Sequence, residues 1–91
     1  MNYSVNSIQE KIKDLNGWDF KNNTLEKKYE FKNFTEAMGF LIQLAFLAEK
    51  QNHHPEIVNV YNKVTLRLST HDQDGVTDKD FTLAAAIDGL N

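Results

Sequence analysis

Residues 34–48, FTEAMGFLIQLAFLA, decide the fold, because they carry the strongest helical pattern in the chain. At about 100° per residue, one continuous apolar stripe runs along them. Its members are Phe34, Ala37, Met38, Leu41, Leu44, Ala45 and Ala48. Further apolar residues lie outside the stripe and widen the apolar arc to more than half of the circumference. They are Phe40, Ile42, Phe46 and Leu47.

Such a helix lies either between two layers of its own domain or against a second subunit. A chain of 91 residues leaves too little sequence for a second layer. We therefore expect a homodimer or homotetramer formed through a helix over residues 34–52.

Two strands are predicted before this helix. Apolar and polar residues alternate over residues 18–21 and again over residues 25–31. The pair Asn22–Asn23 between them is typical of a tight turn, so the two segments predict an antiparallel hairpin. Lys27 occupies an apolar position of this alternation and weakens the second strand.

Two more strands are predicted after the helix. Pro55 ends the helix and favours an extended conformation for the residue before it. Residues 58–60 indicate a short strand, and residues 64–68 alternate strictly between apolar and polar side chains. The pair Asn62–Lys63 is the predicted turn between them, although it lacks the glycine usually favoured there.

Helices are predicted at both ends of the chain. Ser7 followed by Glu10 is a capping-box pattern, and Gly17 is placed to end the helix that begins there. Thr77 begins a last helix, with Asp80 three residues later as an acidic version of the box. The predicted order is α-β-β-α-β-β-α. We expect a single α+β domain over residues 1–91, with a four-stranded antiparallel sheet and three helices on one face.

Composition excludes several classes of protein. Ten Lys and Arg against 13 Asp and Glu give a net charge of −3, which argues against a nucleic-acid partner. The absence of cysteine removes thiol catalysis, disulfides and thiolate metal sites. Residues 1–11 lack the pattern of a signal peptide, and the apolar stretch over residues 37–48 is too short for a membrane helix. We expect a soluble, cytoplasmic protein without a membrane partner.

The candidate chemistry lies in the histidines, which all fall between residues 53 and 71. His53 and His54 follow the long helix, and His71 follows the last strand. An imidazole exchanges protons near neutral pH, and the carbonyl groups at a helix C-terminus favour its cationic form. The plain alternative is an exposed pair with no function. A metal site is disfavoured, because adjacent histidines diverge and no fourth ligand has suitable spacing.

Two carboxylates are brought near these histidines by the helical pattern. Glu49 lies one turn before His53 at the edge of the apolar face. Asp80 points from the first turn of the last helix towards its covered side. A carboxylate in such a place is expected to have a partner. The alternatives are an exposed last-turn residue for Glu49 and a helix-capping residue for Asp80.

The sequence around these residues resembles the pterin-4a-carbinolamine dehydratase family. The run Glu49-Lys-Gln-Asn-His53-His54-Pro55 is similar to the family signature, as are Tyr61, His71 and Asp80 at their spacing. The similarity extends from Trp18 to Leu90. Further matching segments are residues 59–64, 68–72, 75–77, 83–84 and 87–88.

The resemblance implies dehydration of a 4a-hydroxytetrahydropterin to the quinonoid dihydropterin, without a metal or redox cofactor. Aromatic amino acid hydroxylases produce this carbinolamine, so the implied context is tetrahydropterin recycling. His53, His54 and His71 are implied to be acid/base and orienting groups, with His53 and His71 flanking the reacting centre and His54 orienting substrate. The residues implied to bind substrate are Glu49, Pro55, Thr70, Asp80 and Trp18.

The chain departs from the family pattern at three positions near the implied site. Ile57 stands where many members have Trp, Asn52 where some carry Asp, and Lys79 where Arg is often found. These differences concern pterin affinity and preference rather than the class of reaction.

Two other functions are compatible with the same resemblance. Animal members of the family also serve as dimerisation partners of a homeodomain transcription factor, and the apolar face of residues 34–48 suits a protein partner. The second alternative is another pterin-linked role, such as one in molybdopterin metabolism.

Overall fold

Within residues 3–90, which the computed structural model describes, a four-stranded antiparallel sheet in the order β1-β2-β4-β3 organises the fold. The elements in chain order are α1 (Val5–Lys11), β1 (Asp19–Lys21), β2 (Thr24–Glu30), α2 (Phe34–Gln51), β3 (Glu56–Val60), β4 (Lys63–Leu68) and α3 (Asp78–Asp88). Short 3₁₀ turns lie at Ile12–Asp14 and His71–Gln73. The predicted order and fold class are confirmed. Met1, Asn2 and Asn91, which the predicted domain includes, lie outside the described residues.

One local hairpin and one long-range pairing form the first half of the sheet. β1 and β2 are joined by Asn22–Asn23, whose φ angles of 53° and 62° are left-handed, as a type I′ turn requires. β2 then pairs with β4, from Leu25 opposite Leu68 to Glu30 opposite Lys63. The two central strands of the sheet therefore come from opposite halves of the chain.

The turn between β3 and β4 lies one residue earlier than predicted. Val60 pairs with Lys63, so the turn consists of Tyr61 and Asn62 rather than Asn62 and Lys63. Tyr61 adopts a left-handed φ of 53°. The Asn59 side chain donates to the carbonyl oxygens of Tyr61 at 3.1 Å and Lys63 at 3.0 Å. These bonds hold the turn without a glycine, and strand alternation alone does not reveal them.

The core lies on the face of the sheet that the helices cover. Leu25, Val64, Leu66 and Leu68 point to this face, and none of them is more than 1% exposed. Burying a side chain of this size stabilises the fold by about 1.5–3 kcal/mol. The helices supply the other half of the core with Ile8, Ala37, Phe40, Leu44, Ala48, Phe81, Leu83, Ala84 and Ile87.

The opposite face of the sheet carries a row of charges across three strands. The Arg67 Nε donates to Glu26 at 2.7 Å, and its Nη1 donates to Glu56 at 3.0 Å. The hydrogen bond to Glu26 raises the pKa of Arg67, which therefore stays cationic. Opposite charges on adjacent strands stabilise the register of the sheet.

α1 begins three residues earlier than predicted. Ser4 rather than Ser7 is the N-cap, because its Oγ accepts a hydrogen bond from the Ser7 N–H at 3.2 Å. Both serines fit a capping pattern, and the earlier start places Ile8 in the core with 1% exposure. Gly17 has a left-handed φ of 80° but follows the 3₁₀ turn rather than ending α1 itself.

The buried side of α2 is rotated relative to the predicted stripe. Its buried residues are Ala37, Phe40, Leu44 and Ala48. Phe34, which the stripe includes, is 49% exposed. Phe40, which the stripe excludes, packs on Tyr29 and Phe31 with ring centroids 4.6 Å and 5.1 Å away. Helical periodicity cannot anticipate this aromatic contact with β2. No helix within residues 3–90 combines the length and apolar character needed to cross a bilayer.

Lys27 points to the apolar face of β2, and a buried ion pair explains its presence there. Its Nζ lies 3.0 Å from Oδ1 of Asp88 at the end of α3, and the two side chains are 12% and 16% exposed. Trp18 Nε1 donates to the same oxygen at 2.8 Å, and the Asn16 N–H donates to Oδ2 at 2.9 Å. A carboxylate at a helix C-terminus is unfavourable alone, so Asp88 depends on these donors.

We predict that Asp88→Ala lowers the free energy of unfolding by about 2–4 kcal/mol, because it leaves the Lys27 ammonium nearly buried and unpaired. Urea unfolding measures this as a lower midpoint at an unchanged slope. The control is Glu10→Ala, which removes the exposed pair of Glu10 with Lys13 and should leave the midpoint unchanged. Equal midpoints for the two variants would contradict a stabilising role for the buried pair.

Candidate active site

The end of α2 sends two consecutive histidines in different directions. Asn52 ends the helix in a left-handed conformation with φ 51°, and the His53 N–H donates back to the Ala48 carbonyl at 3.1 Å. This is a Schellman motif, and Asn is one of the few residues that tolerate its left-handed position. The His53 side chain is only 11% exposed, whereas that of His54 is 58% exposed.

A capping box at the start of α3 places Asp80. Thr77 is the N-cap, and its Oγ1 accepts a hydrogen bond from the Lys79 N–H at 3.2 Å. In return, Oδ2 of Asp80 accepts a hydrogen bond from the Thr77 N–H at 2.9 Å. This box was predicted from the sequence and is confirmed. It holds Asp80 in a position where its side chain is 0% exposed.

Asp80 has a second role, because it also binds His53. Its Oδ1 lies 2.6 Å from Nε2 of His53, and its Oδ2 accepts a hydrogen bond from Thr70 Oγ1 at 2.9 Å. The Thr70 hydroxyl, the Thr77 N–H and the helix N-terminus all favour a carboxylate that only accepts hydrogen bonds. His53 Nε2 is therefore the donor. Its Nδ1, which has no hydrogen-bond partner in the described part of the chain, is the nitrogen left for a bound molecule.

Glu49 and His54 form a second pair at the surface. Oε2 of Glu49 lies 2.6 Å from Nε2 of His54, and the two side chains are 77% and 58% exposed. Water screens such a pair, so its contribution to stability is small. Its structural effect is to orient the His54 ring at the rim of the site.

His71 approaches from the other side of an open cleft. It begins the 3₁₀ turn that follows β4, and it is exposed. The cleft has a volume of about 340 Å³. Its lining residues are Asn52, His53, His54, Ser69, Thr70, His71, Asp72 and Lys79. The structure therefore brings together the three histidines that the sequence singled out.

The structure places the remaining predicted site residues differently. Pro55 directly follows the histidine pair and is partly buried. Trp18 is 5% exposed and donates its indole N–H to Asp88, at the opposite end of α3 from Asp80. No described contact joins Trp18 to the histidines. Its place in the predicted site rests on the resemblance alone.

Four residues of the cleft lining were not among the predicted site residues. They are Asn52, Ser69, Asp72 and Lys79. Each of them is adjacent in sequence to a predicted site residue, and this adjacency is the sequence feature that could have identified them. Lys79 matters most for electrostatics, since it adds a cation to a cleft whose other permanent charge is the Asp72 carboxylate.

The arrangement suits proton transfer. His53 lines the cleft, a buried carboxylate holds its Nε2, and its Nδ1 is left to accept or donate a proton. His54 and His71 add two more imidazoles around the same space. Within residues 3–90, no three His, Asp or Glu side chains are arranged as a metal-binding group.

Comparison with known proteins places these observations in a family. The profile of the family described as Pterin 4 alpha carbinolamine dehydratase matches residues 1–90. Several relatives carry the provisional name pterin-4-alpha-carbinolamine dehydratase. One from Christiangramia forsetii is 45% identical over 87 residues, which cover 96% of this chain and 90% of that protein. One from Sulfolobus acidocaldarius is 41% identical over 90 residues, covering 99% of both.

Solved structures agree with the sequence comparison. The crystal structure of a transcriptional coactivator/pterin dehydratase from Brucella melitensis matches with a TM-score of 0.94 and 34% identity, covering 99% of this chain and 98% of that one. A pterin dehydratase-like protein described as a RuBisCO assembly factor in the alpha-carboxysome matches with a TM-score of 0.68 and 26% identity, covering 82% and 89%. With its profile matched from residue 1 to residue 90, the chain belongs to the pterin-4a-carbinolamine dehydratase family.

Proposed function

We propose that this chain is a hydro-lyase that dehydrates a 4a-hydroxytetrahydropterin to the quinonoid dihydropterin, in tetrahydropterin recycling. The observation that carries the proposal is the His53 ring, held by the buried Asp80 carboxylate at 2.6 Å in a cleft that also contains His54 and His71. Family membership supports the class of reaction, and this geometry supports the choice of residues.

The reaction requires one base and one acid. The base accepts the proton on N5, the electron pair of that N–H bond forms the C4a=N5 double bond, and the acid protonates the 4a hydroxyl group, which leaves as water. One proton enters the protein and one leaves it, so the step consumes no oxidant or reductant. Positioned acid/base catalysis of this kind contributes about 10²- to 10⁴-fold to a rate.

The histidines take distinct roles in the proposal. His53 and His71 flank the reacting carbon and nitrogen, because they line the cleft from different elements. His54, with its ring oriented by Glu49, orients the pterin at the rim. Pro55, directly after the histidine pair, completes the substrate site by resemblance, whereas a role for Trp18 there stays a prediction of the resemblance alone, because its indole N–H donates to Asp88.

Asp80 takes a different role from the one that the resemblance implies. Its side chain is 0% exposed, and both of its oxygens accept hydrogen bonds from protein groups. It therefore acts through His53 rather than on the pterin ring.

We predict that purified protein accelerates loss of the carbinolamine, and that His53→Ala and His71→Ala each slow it by at least tenfold, because each removes a proton-transfer group. The measurement is the disappearance of a freshly generated 4a-hydroxytetrahydropterin against its spontaneous dehydration in buffer. Gln9→Ala on the exposed side of α1 is the control and should retain the wild-type rate. A wild-type rate no faster than buffer would refute the dehydratase proposal.

A second prediction concerns metals. We expect dialysis against a strong chelator to leave the rate of carbinolamine loss unchanged, because the proposed chemistry uses imidazoles alone. The same assay provides the measurement. A loss of activity that added zinc or another divalent cation restores would contradict this prediction.

The exposed face of α2 supports self-association. Ile42 is 61% exposed and Phe46, one turn further, is 73% exposed. Gly39 lies one turn before Ile42, and a side chain added there would meet no atom outside the adjoining backbone of α2 within 4 Å. Large apolar side chains beside an open glycine suit close approach of another helix. We propose that a second copy of the chain covers this face, giving a homodimer or homotetramer.

The same face supports a second candidate function, which is binding to a different protein. The two similar solved structures are those of a transcriptional coactivator/pterin dehydratase and of a pterin dehydratase-like RuBisCO assembly factor, so relatives of this chain are described with roles beyond dehydration. In this candidate, the exposed apolar side chains of Ile42 and Phe46 contact a partner protein instead of a second copy.

We predict that the wild-type protein sediments at a multiple of its 10.5 kDa monomer mass at micromolar concentration. Phe46→Ser should lower the sedimenting mass, because it removes the most exposed aromatic side chain of α2. Val5→Ser, which changes an exposed apolar residue of α1 that is 58% exposed, is the matched control. A wild-type protein that sediments only as the monomer would exclude self-association and favour the second candidate.

A further inference from the structure

Two buried threonines are hydrogen-bonded to the Asp80 carboxylate that binds His53. Thr70 follows β4 and is 7% exposed, and Thr77 caps α3 and is 6% exposed. Together with Asp80 they are three of the four buried polar residues within residues 3–90. A buried hydroxyl group costs free energy unless it is hydrogen-bonded. Packing alone therefore does not account for two such groups behind one histidine.

The hydrogen bonds of these hydroxyls have one possible direction. Thr70 Oγ1 lies 2.7 Å from Thr77 Oγ1 and 2.9 Å from Oδ2 of Asp80. Each hydroxyl has a single proton, and an ionised carboxylate only accepts. The Thr70 proton therefore points to Asp80. Thr77 accepts from the Lys79 N–H and gives its own proton to Thr70.

Thr70 has no free polar group with which to bind a pterin. Its hydroxyl is used by Asp80 and Thr77, and its N–H donates to the Gly75 carbonyl at 2.8 Å. Its carbonyl oxygen accepts hydrogen bonds from the Gln73 N–H at 3.1 Å and the Gly75 N–H at 3.5 Å. With 7% exposure, Thr70 reaches the cleft wall but offers no unused donor there.

We propose that Thr70 and Thr77 are positioning residues, forming a directed chain from Thr77 through Thr70 to Asp80 that fixes the His53 ring with Nε2 as donor and Nδ1 as the free nitrogen. This inference rests on the proposed dehydration for its kinetic part only. The chain joins the ends of α2 and β4 to the start of α3, so it sets the angle of the ring as well as its tautomer.

The decisive variant is Thr70→Val, which keeps the branched shape and removes only the hydroxyl. Thr70 makes no side-chain cap of its own, so the change leaves the Thr77 cap of α3 in place. Thr70→Ser restores the hydroxyl, and Thr65→Val on β4 is the control for the same substitution outside the site. Urea unfolding shows which variants are folded.

Kinetics test the positioning role. We expect Thr70→Val to lower kcat by about tenfold with KM changed less than twofold, because the variant alters the acid/base group and not the pterin contacts. Thr70→Ser should retain at least about a third of the wild-type kcat. A rise in KM at unchanged kcat would instead show direct substrate binding by Thr70 and overturn the proposal.

Nuclear magnetic resonance of the substrate-free protein gives a readout that does not depend on any activity. In the wild type we expect a downfield, exchange-protected proton on His53 Nε2, because that nitrogen donates over 2.6 Å to a buried carboxylate. Thr70→Val should shift this signal or lose its protection, and Thr70→Ser should retain it. An unchanged His53 signal in folded Thr70→Val overturns the proposal, even if the wild type proves inactive as a dehydratase.

Discussion

Burying the Asp80 carboxylate while it keeps its charge is the constraint on which this structure depends. A buried anion is tolerated only when its oxygens are saturated with donors. The donors come from three separate segments: Thr77 at the start of α3, Thr70 after β4, and His53 after α2. The hydrogen bonds to one carboxylate therefore fix the end of α2, the end of β4 and the start of α3 relative to one another. The geometry of the histidine cleft and the burial of this carboxylate therefore depend on the same hydrogen bonds.

The two ends of α3 show why acidic residues at a helix differ in their needs. Asp80 lies at the N-terminal end, where the helix dipole favours a negative charge and the capping box supplies a donor. Asp88 lies at the C-terminal end, where the dipole opposes it, and it relies on Lys27, Trp18 and Asn16. One end of the helix thus forms part of the candidate site, and the other end attaches the helix to β2 through Lys27.

Much of the fold could be predicted because it follows from local periodicity. The alternation of residues 64–68 and the Asn22–Asn23 turn depend on the residues themselves, and the structure contains both. The start of α1 and the turn at Tyr61 were misplaced by one to three residues, because neighbouring serines and asparagines compete for the same hydrogen bonds. The buried side of α2 differs from the predicted stripe because Phe40 packs against Tyr29 on β2 and Phe31 just after it, and a helical wheel contains no such tertiary contact.

The site could be predicted in its members but not in its arrangement. Histidine positions and the capping pattern of Asp80 are visible in the sequence. The pairing of His53 with Asp80 is not, because residues 53 and 80 meet only through the folding of β3 and β4 between them. The same holds for Thr70, whose hydroxyl donates to Asp80.

The central pairing of β2 with β4 has a consequence for how this chain folds. Leu25 lies opposite Leu68, so the two strands join residues that are 43 positions apart, and α2 and β3 lie inside the loop that they close. Each hairpin forms from near neighbours, whereas this pairing must overcome the entropy of closing a long loop. His53 and Thr70 flank the two strands of the second hairpin, and the register that places Glu56 opposite Arg67 brings them to the same end of it without that closure. The hairpin of β3 and β4 therefore gathers the three histidines of the cleft from near neighbours in sequence, whereas the long-range pairing attaches that hairpin to the rest of the sheet.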